Sequence, residues 1–94
     1  MKVRWTPLAG SHLQATCEYL VRERPSVADP FLERILSAVE ALGHHPQMGR
    51  TGRVPGTREF VVTGTPFIVA YRIRRDQIQI LAVLHGARRW PDRL

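Results

Sequence analysis

The sequence predicts an α+β fold, with the element order β-α-α-β-β-β and a helical hairpin packed on one face of a small antiparallel sheet. Apolar residues recur at helical spacing in the first half of the chain, and strand-like segments separated by short turns fill the second half. Two helices joined by a short loop bury their apolar stripes by packing against a sheet. The 94 residues are enough for one domain, which we expect to span residues 1–94.

A short strand and a first helix are predicted at the start of the chain. Residues 2–5 alternate in polarity and predict the strand. Thr6 and Pro7 are typical of a helix start, with Thr6 as N-cap and Pro7 at the first helical position. Pro25 predicts the end of this helix, since a proline disfavours helical geometry in the residue before it. The apolar stripe of the helix comprises Leu13, Cys17, Leu20 and Val21.

A second helix is predicted from a capping box formed by Ser26 and Asp29. Gly43 is expected to end this helix. Residues 43–56 contain four glycines and two prolines and are predicted to form a loop. The helical stripe comprises Phe31, Leu32, Ile35, Leu36, Val39 and Leu42.

Three strands are predicted over residues 57–63, 66–74 and 77–85, with a tight turn at Arg75-Asp76. The residue 2–5 strand is expected to pair with this sheet, either at an edge or beside a strand distant in sequence. Alternation along the last strand puts one set of side chains, Ile78, Ile80, Ala82 and Leu84, on one face. His85 falls on the other face, so we expect an exposed, basic sheet face carrying Arg72 and His85.

The net charge of +6 lies entirely in the second half of the chain. Residues 1–49 hold five basic and five acidic residues, whereas residues 50–94 hold nine arginines and three acidic residues. Guanidinium groups match phosphates and carboxylates in geometry and stack on aromatic rings. The pattern therefore indicates a polyanion or an acidic protein segment as partner.

Several other classes of protein are not indicated. The single cysteine, Cys17, excludes an internal disulfide, and no Cys/His spacing typical of zinc sites is present. No apolar run approaches the roughly 20 residues that a membrane helix needs, and no signal-peptide pattern is seen. We therefore predict a cytoplasmic protein with no metal site, no cofactor and no membrane partner.

The ending of the last strand is the most informative segment, because an apolar strand runs directly into His85, Gly86, Arg88, Arg89 and Trp90. This Val-Leu-His-Gly-Ala-Arg-Arg-Trp-Pro ending resembles the RelE/ParE family of toxins from bacterial type II toxin–antitoxin modules. The Met-Gly-Arg sequence at residues 48–50, the Pro-Gly-Thr-Arg-Glu sequence at residues 55–59 and the Phe-Ile-Val-Ala-Tyr-Arg-Ile strand at residues 67–73 are also similar to that family. The resemblance covers nearly all 94 residues.

The resemblance implies a toxin that arrests growth and is neutralised, in a hetero-oligomer, by a cognate antitoxin with an acidic, amphipathic segment. One branch of the family inhibits DNA gyrase, and the other is a metal-independent, ribosome-dependent mRNA endonuclease. In the endonuclease branch Arg88, His85, Arg72 and Glu59 would be catalytic. In either branch the target would be contacted by Arg50, Arg53, Arg58, Arg72, Arg88, Arg89 and Trp90.

The sequence favours the gyrase branch, because the lysine pair on the second strand and the tyrosine after the C-terminal arginines that typify the nucleases are absent. Two alternatives stay open at this point. One is the mRNA endonuclease, and the other is a non-toxic basic module that binds nucleic acid.

Overall fold

Two helices pack on a five-stranded sheet in this computed structural model, which describes residues 1–88, 90–91 and 94. The fold is α+β, as predicted, with one additional short strand in the loop after the second helix. The elements in chain order are β1 (Lys2–Trp5), α1 (Pro7–Glu23), α2 (Pro25–His44), β2 (Arg50–Thr51), β3 (Arg58–Val61), β4 (Phe67–Arg74) and β5 (Gln77–His85).

The strand order across the sheet is β1-β5-β4-β3-β2. The neighbours from β2 to β5 pair antiparallel, but β1 runs parallel to β5, with Val3 opposite Ile78. The sheet is therefore mixed, and the prediction that it is wholly antiparallel was wrong for its edge strand. A parallel pair requires a long crossover connection. Here the connection from β1 to β5 comprises both helices and the strands β2, β3 and β4.

Both helices begin with a proline, but only the first has a side-chain cap. Thr6 caps α1 as predicted, with its hydroxyl oxygen accepting from the Ala9 amide at 3.3 Å, and the hydroxyl also donates to the Ile80 carbonyl at 2.7 Å. The capping box predicted for α2 was wrong, because α2 begins at Pro25 after Arg24, whose side chain makes no capping hydrogen bond. Proline at the first helical position already has the required φ.

Gly43 lies inside α2, which ends at His44, so its predicted role as a helix stop was wrong. A Cβ atom at residue 43 would lie 3.1 Å from both the Met1 carbonyl oxygen and the Val3 side chain. The Met1 amino group also donates to the Gly43 carbonyl at 2.6 Å. The glycine is therefore needed for the close approach of β1 to α2.

The main core lies between the helices and one face of the sheet. Its largest fully buried side chains are Tyr71, Leu20, Ile35, Leu42, Ile78, Ile80, Val62 and Val69. Trp5 packs against this core and is partly buried. None of the helices in the described part of the chain combines the length and apolar character that a membrane crossing requires.

A β-bulge in β5 changes which side chains face the helices. Tyr71 pairs with Ile80 but Ala70 pairs with Ala82, so Leu81 is an extra residue with no partner on β4. Beyond Leu81 the predicted alternation was wrong, because the bulge shifts the strand by one residue. Val83 joins the core, and the His85 ring lies edge-on to Phe67 with centroids 5.8 Å apart.

The turn between β4 and β5 forms at Arg75-Asp76, as predicted. Both residues have positive φ, 52° for Arg75 and 62° for Asp76. Two-residue hairpin turns favour this left-handed geometry because it matches the twist of the strands.

Candidate functional site

The predicted site residues separate into two groups on different faces of the sheet. Glu59 and Arg72 lie on the face away from the helices, which we call the open face. Their cross-strand partners are Ala70 and Gln79, whereas the alternate residues Val69, Tyr71 and Ile78 belong to the core on the helix side. His85 instead faces the helix side beside Phe67. The prediction that His85 and Arg72 share a face was therefore wrong, because of the bulge at Leu81.

Arg58 belongs to neither group. It pairs with Tyr71 and donates from Nη1 to the Gly49 carbonyl at 2.7 Å, which anchors the segment before β2. Arg89 is outside the described residues.

Glu59 is the centre of a buried ionic cluster on the open face. Its side chain is only 3 % exposed, and it accepts from Arg50 Nη2 and Arg53 Nε, both at 3.3 Å. The Arg53 backbone amide donates to the same carboxylate at 2.7 Å. All of these donors are satisfied by the charged form of Glu59, which therefore orients two arginines at the surface.

Burial alone raises the pKa of the Glu59 carboxyl group. The backbone hydrogen bond from Arg53 and the guanidinium groups of Arg50 and Arg53 outweigh that effect, so the pKa lies below its ordinary value of 4.5. A carboxyl group with a lowered pKa stays ionised at neutral pH and is unsuited to donate a proton.

We expect Glu59→Gln to lower the free energy of unfolding at pH 7 by roughly 1–3 kcal/mol, because hydrogen bonds to a charged acceptor are lost. Since the folded pKa is depressed, this stability is present above pH 4.5 and is lost as the pH falls through the folded pKa. Urea unfolding as a function of pH should therefore show wild type and variant converging in acid. Glu23→Gln, at an exposed pair with Arg22, is the matched control and should have little effect. A difference that is constant with pH would contradict this assignment.

Arg72 is held on the open face by a hydrogen bond from its Nε to Gln79 Oε1, at 2.6 Å. This bond connects β4 to β5 and orients the guanidinium group along the sheet surface. Its remaining donors are free of hydrogen bonds to other residues in the described ranges.

The second group lines an open cavity of about 850 Å³ between α1, the end of β5 and the C-terminal segment, which we call the C-terminal cavity. His85 and Arg88 lie in this cavity together with His12 from α1. Three aromatic side chains complete the wall, namely Tyr19, Phe67 and Trp90. The cavity offers cationic and aromatic groups side by side.

Hydrogen bonds from backbone amides hold the turn after β5. His85 Nδ1 accepts from the Ala87 amide at 3.1 Å, and the His85 carbonyl accepts from the Arg88 amide at 3.0 Å. The Gly86 amide donates to the Pro66 carbonyl at 2.8 Å. An acceptor at Nδ1 requires the neutral ring to carry its proton on Nε2. His85 thus fixes the path of the chain toward Arg88.

His12 connects α1 to β5 inside the C-terminal cavity. Its Nδ1 accepts from the Val83 amide at 3.3 Å, and burial lowers the pKa of the ring below its ordinary value of 6.5. The neutral ring is needed for this bond, because a protonated imidazole has no acceptor.

The stability of the protein should therefore fall as the pH drops below 6.5. Above that pH His12 is neutral in both the folded and unfolded chains, whereas between 6.5 and the lower folded pKa the unfolded chain binds more protons. Thermal melting at pH 7.5 and 5.5 should show this loss for wild type and a smaller loss for His12→Gln. The exposed His44→Gln is the control and should lose as much as wild type. Equal losses for all three proteins would exclude His12 as the cause.

Trp90 joins the two groups. The Arg53 guanidinium carbon lies 3.7 Å from the centre of the Trp90 ring, in cation–π geometry. Because Arg53 also holds Glu59, the stack ties the C-terminal segment to the ionic cluster on the open face. Arg88 is 6.0 Å above the Tyr19 ring, at the limit for such an interaction. Arg53 stacks on Trp90, and Arg88 lines the same cavity as Trp90; we call these three cationic and aromatic residues the tip.

Known proteins match this chain in sequence and in fold. The family model described as the ParE toxin of the type II toxin–antitoxin system parDE matches residues 3–90. The chain belongs to the ParE toxin family. The resemblance to RelE/ParE toxins that the sequence motifs indicate is thereby confirmed.

Individual relatives agree with this family. The chain is 40% identical over 91 residues to the putative toxin Y4kP of Sinorhizobium fredii, with 97% of this chain and 94% of the relative covered. It is 29% identical over 87 residues to toxin RelE2 of Caulobacter vibrioides, covering 93% and 97% of the two chains. A solved structure from the chromosomal ParDE system of P. aeruginosa matches with a TM-score of 0.75 and 30% identity, over 88% of this chain and 92% of that one.

Two residues of this ParE-family chain were not predicted to belong to a site. His12 and Tyr19 line the C-terminal cavity with Thr16 between them. Their spacing of four and three residues puts them on one face of a helix, which is a signal that the sequence contains. The buried stripe of Leu13, Cys17 and Leu20 lies beside this more polar face and is the stronger signal in the sequence.

Proposed function

We propose that this type II toxin arrests growth by binding DNA gyrase and inhibiting it, without cleaving RNA. The observation that carries the proposal is the separation of the groups a ribonuclease would use. Glu59 and Arg72 lie on the open face, whereas His85 and Arg88 lie in the C-terminal cavity. General acid–base catalysis requires groups within hydrogen-bonding reach of one reacting centre.

The hydrogen bonds that Glu59 and His85 already form also argue against RNA cleavage. Glu59 is ionised, buried and bound by three donors, which leaves it poorly suited to proton transfer. His85 uses Nδ1 to hold the turn at Ala87. At the tip, by contrast, Arg53 and Arg88 are exposed beside the half-buried Trp90, and tryptophan and arginine are the residues that most often dominate the energy of protein interfaces.

The test combines two readouts after brief induction of the toxin in bacteria. Gyrase inhibition predicts loss of negative supercoiling and induction of the DNA-damage response, with messenger RNA 5′ ends unchanged. The purified toxin should also inhibit supercoiling by purified gyrase. New RNA ends at codon-phased positions that disappear in Arg88→Ala or His85→Ala would overturn the proposal in favour of an endonuclease. Arg24→Ala, an exposed arginine away from the tip, is the control and should retain activity.

We also propose that a cognate antitoxin neutralises the toxin in the cytoplasm by forming a hetero-oligomer with it. Leu8, Val21 and Leu36 are exposed apolar side chains on the helices, so the prediction that Val21 and Leu36 belong to the buried stripes was wrong. Such exposed apolar side chains offer contacts to an amphipathic segment. The positive charge of the second half of the chain complements an acidic segment. Co-expression with the protein encoded beside it should restore growth and yield a complex on size-exclusion chromatography. Two separate peaks and continued arrest would contradict this partner.

A further inference from the structure

A second basic surface lies at the opposite end of the open face from the tip. The register puts Lys2 beside Gln77 and Arg4 beside Gln79 on β5, and Arg74 pairs with Gln77 from the other side. Arg75 follows in the turn. We call the four basic residues Lys2, Arg4, Arg74 and Arg75 the cationic corner. None of them belonged to the predicted target-binding set.

The cationic corner is exposed and its charges are not neutralised. All four side chains are exposed, and within residues 1–88, 90–91 and 94 none of them forms a salt bridge. A concavity of about 360 Å³ opens between them, lined by Arg4, Arg74, Arg75, Gln77 and Gln79. Arg72, bound to Gln79, lies next to it. The buried carboxylate of Glu59, on the same face, is already neutralised by Arg50 and Arg53.

The turn beside this concavity has an unusual residue for its geometry. Arg75 has a φ of 52°, in the left-handed region that costs conformational energy for a residue with a Cβ. Hairpin turns of this kind usually contain asparagine, aspartate or glycine. The strained position projects a guanidinium group beside Arg74, where it adds to the local positive potential.

We propose that the cationic corner binds the phosphate backbone of duplex DNA. Two of the basic side chains come from β1 and one from β4, on either side of β5, and Arg75 comes from the turn. Their anchor points therefore spread about 10 Å across the sheet and about 7 Å along it. Duplex DNA carries one charge per roughly 1.7 Å of its axis and matches such a dense array of cations. The glutamines between the arginines supply further hydrogen-bond donors to phosphate oxygens.

The composition of the corner argues against other occupants. A folded protein partner usually needs a buried apolar or aromatic anchor, whereas the concavity is lined by arginine and glutamine and the neighbouring Lys2 and Asp76 are charged as well. Unpaired bases bind by stacking on aromatic side chains, which this surface lacks, so a duplex is favoured over a single strand. The choice of DNA over RNA rests on the proposed function, because gyrase holds duplex DNA. The corner would then secure the toxin to the DNA while the tip contacts the enzyme.

The experiment measures binding of a labelled DNA duplex by fluorescence anisotropy over a range of salt concentrations, without gyrase. The test variant is Arg4→Gln/Arg74→Gln, and the control is Arg22→Gln/Arg24→Gln, which removes the same charge from exposed sites on another surface. Because each phosphate contact contributes about 0.9 to the log–log salt slope, we expect the test variant to lose about two from the slope and about tenfold in affinity. The control should resemble wild type.

A second variant, Arg75→Gly, guards against misfolding, since glycine suits the positive φ at this position. It should remain folded and lose about one from the salt slope. Equal weakening in the test and control variants would overturn the proposal, because binding would then reflect net charge alone. Equal or tighter binding of single-stranded DNA or duplex RNA would also overturn it. So would the absence of DNA binding, including the case in which the corner binds an acidic peptide instead. Because gyrase is absent, failure here leaves gyrase inhibition to be judged by its own assay.

Discussion

Trp90→Ala is expected to abolish growth arrest while leaving the protein folded. Trp90 is the aromatic centre of the tip, where it stacks on Arg53 and lines the C-terminal cavity. Truncating an aromatic residue at the centre of an interface typically costs 2 kcal/mol or more, which corresponds to a loss of roughly 30-fold in affinity. The stack itself contributes about 0.5–2 kcal/mol, so the C-terminal segment would also lose its contact with the open face.

The measurement is the concentration of purified toxin that halves gyrase supercoiling, taken together with a thermal melting curve. Trp90→Phe retains an aromatic face and should keep part of the activity. Arg53→Ala removes the other half of the stack and should weaken inhibition as well, whereas Arg24→Ala should not. Full potency in Trp90→Ala would remove the tip from the proposed interface.

Tyr71→Phe is expected to destabilise the fold by about 2–4 kcal/mol. The Tyr71 hydroxyl is fully buried, accepts from the Gly49 amide at 2.8 Å and donates to the Pro46 carbonyl at 2.8 Å. Removing the hydroxyl leaves the buried Gly49 amide and the partly buried Pro46 carbonyl without partners, and a buried group without a partner costs roughly 1–3 kcal/mol. Burial raises the pKa of this hydroxyl above its ordinary value of 10.0, so it is neutral and able to donate.

Urea unfolding at neutral pH measures this loss. Tyr19→Phe, which changes a 40 % exposed tyrosine, is the matched control and should alter stability by less than about 0.5 kcal/mol. If Tyr71→Phe is as stable as wild type, water must replace both hydrogen bonds.

Gly49→Ala tests the same contact from the other side. A Cβ atom at residue 49 would lie 2.5 Å from the Tyr71 hydroxyl oxygen and 2.6 Å from Cε1 of its ring. Because this ring is held in the core, the segment before β2 must shift, and we expect the melting temperature to fall by about 10 °C. Gly10→Ala, at a glycine whose Cβ position is open, is the control and should not lower it. A wild-type melting temperature for Gly49→Ala would show that the segment moves freely.

The elements of the fold could be predicted because their signals are local. Thr6, Pro7 and Pro25 mark helix ends within a few residues, and Arg75-Asp76 marks a turn between two apolar strands. Strand direction carries no such signal, since the alternation of residues 2–5 is the same in a parallel or an antiparallel pair. β2 was missed because two residues of a glycine-containing loop become a strand only by pairing with β3.

The site was harder to predict because it depends on contacts between distant segments. Nothing near Glu59 in the sequence indicates that Arg50 and Arg53 bury and neutralise it, so the endonuclease alternative assigned it a catalytic role. The position of His85 depends on one extra residue, Leu81, and alternation cannot detect a bulge. Trp90 and Arg53 are far apart in the chain, and their stack follows from the folded path of both segments.

The extra residue Leu81 reverses the alternation along β5. Even-numbered side chains such as Ile78 and Ile80 face the helices before it, and odd-numbered ones such as Val83 face them after it. Deleting the single codon for Leu81 would restore strict alternation, because Ala82 would follow Ile80 directly and still lie opposite Ala70. Every side chain from Ala82 onward would keep its present face, and His85 would stay beside Phe67. The bulge therefore accommodates an extra residue without moving the chain ending, and we expect a relative that lacks this residue to display its ending on the same surface of the molecule.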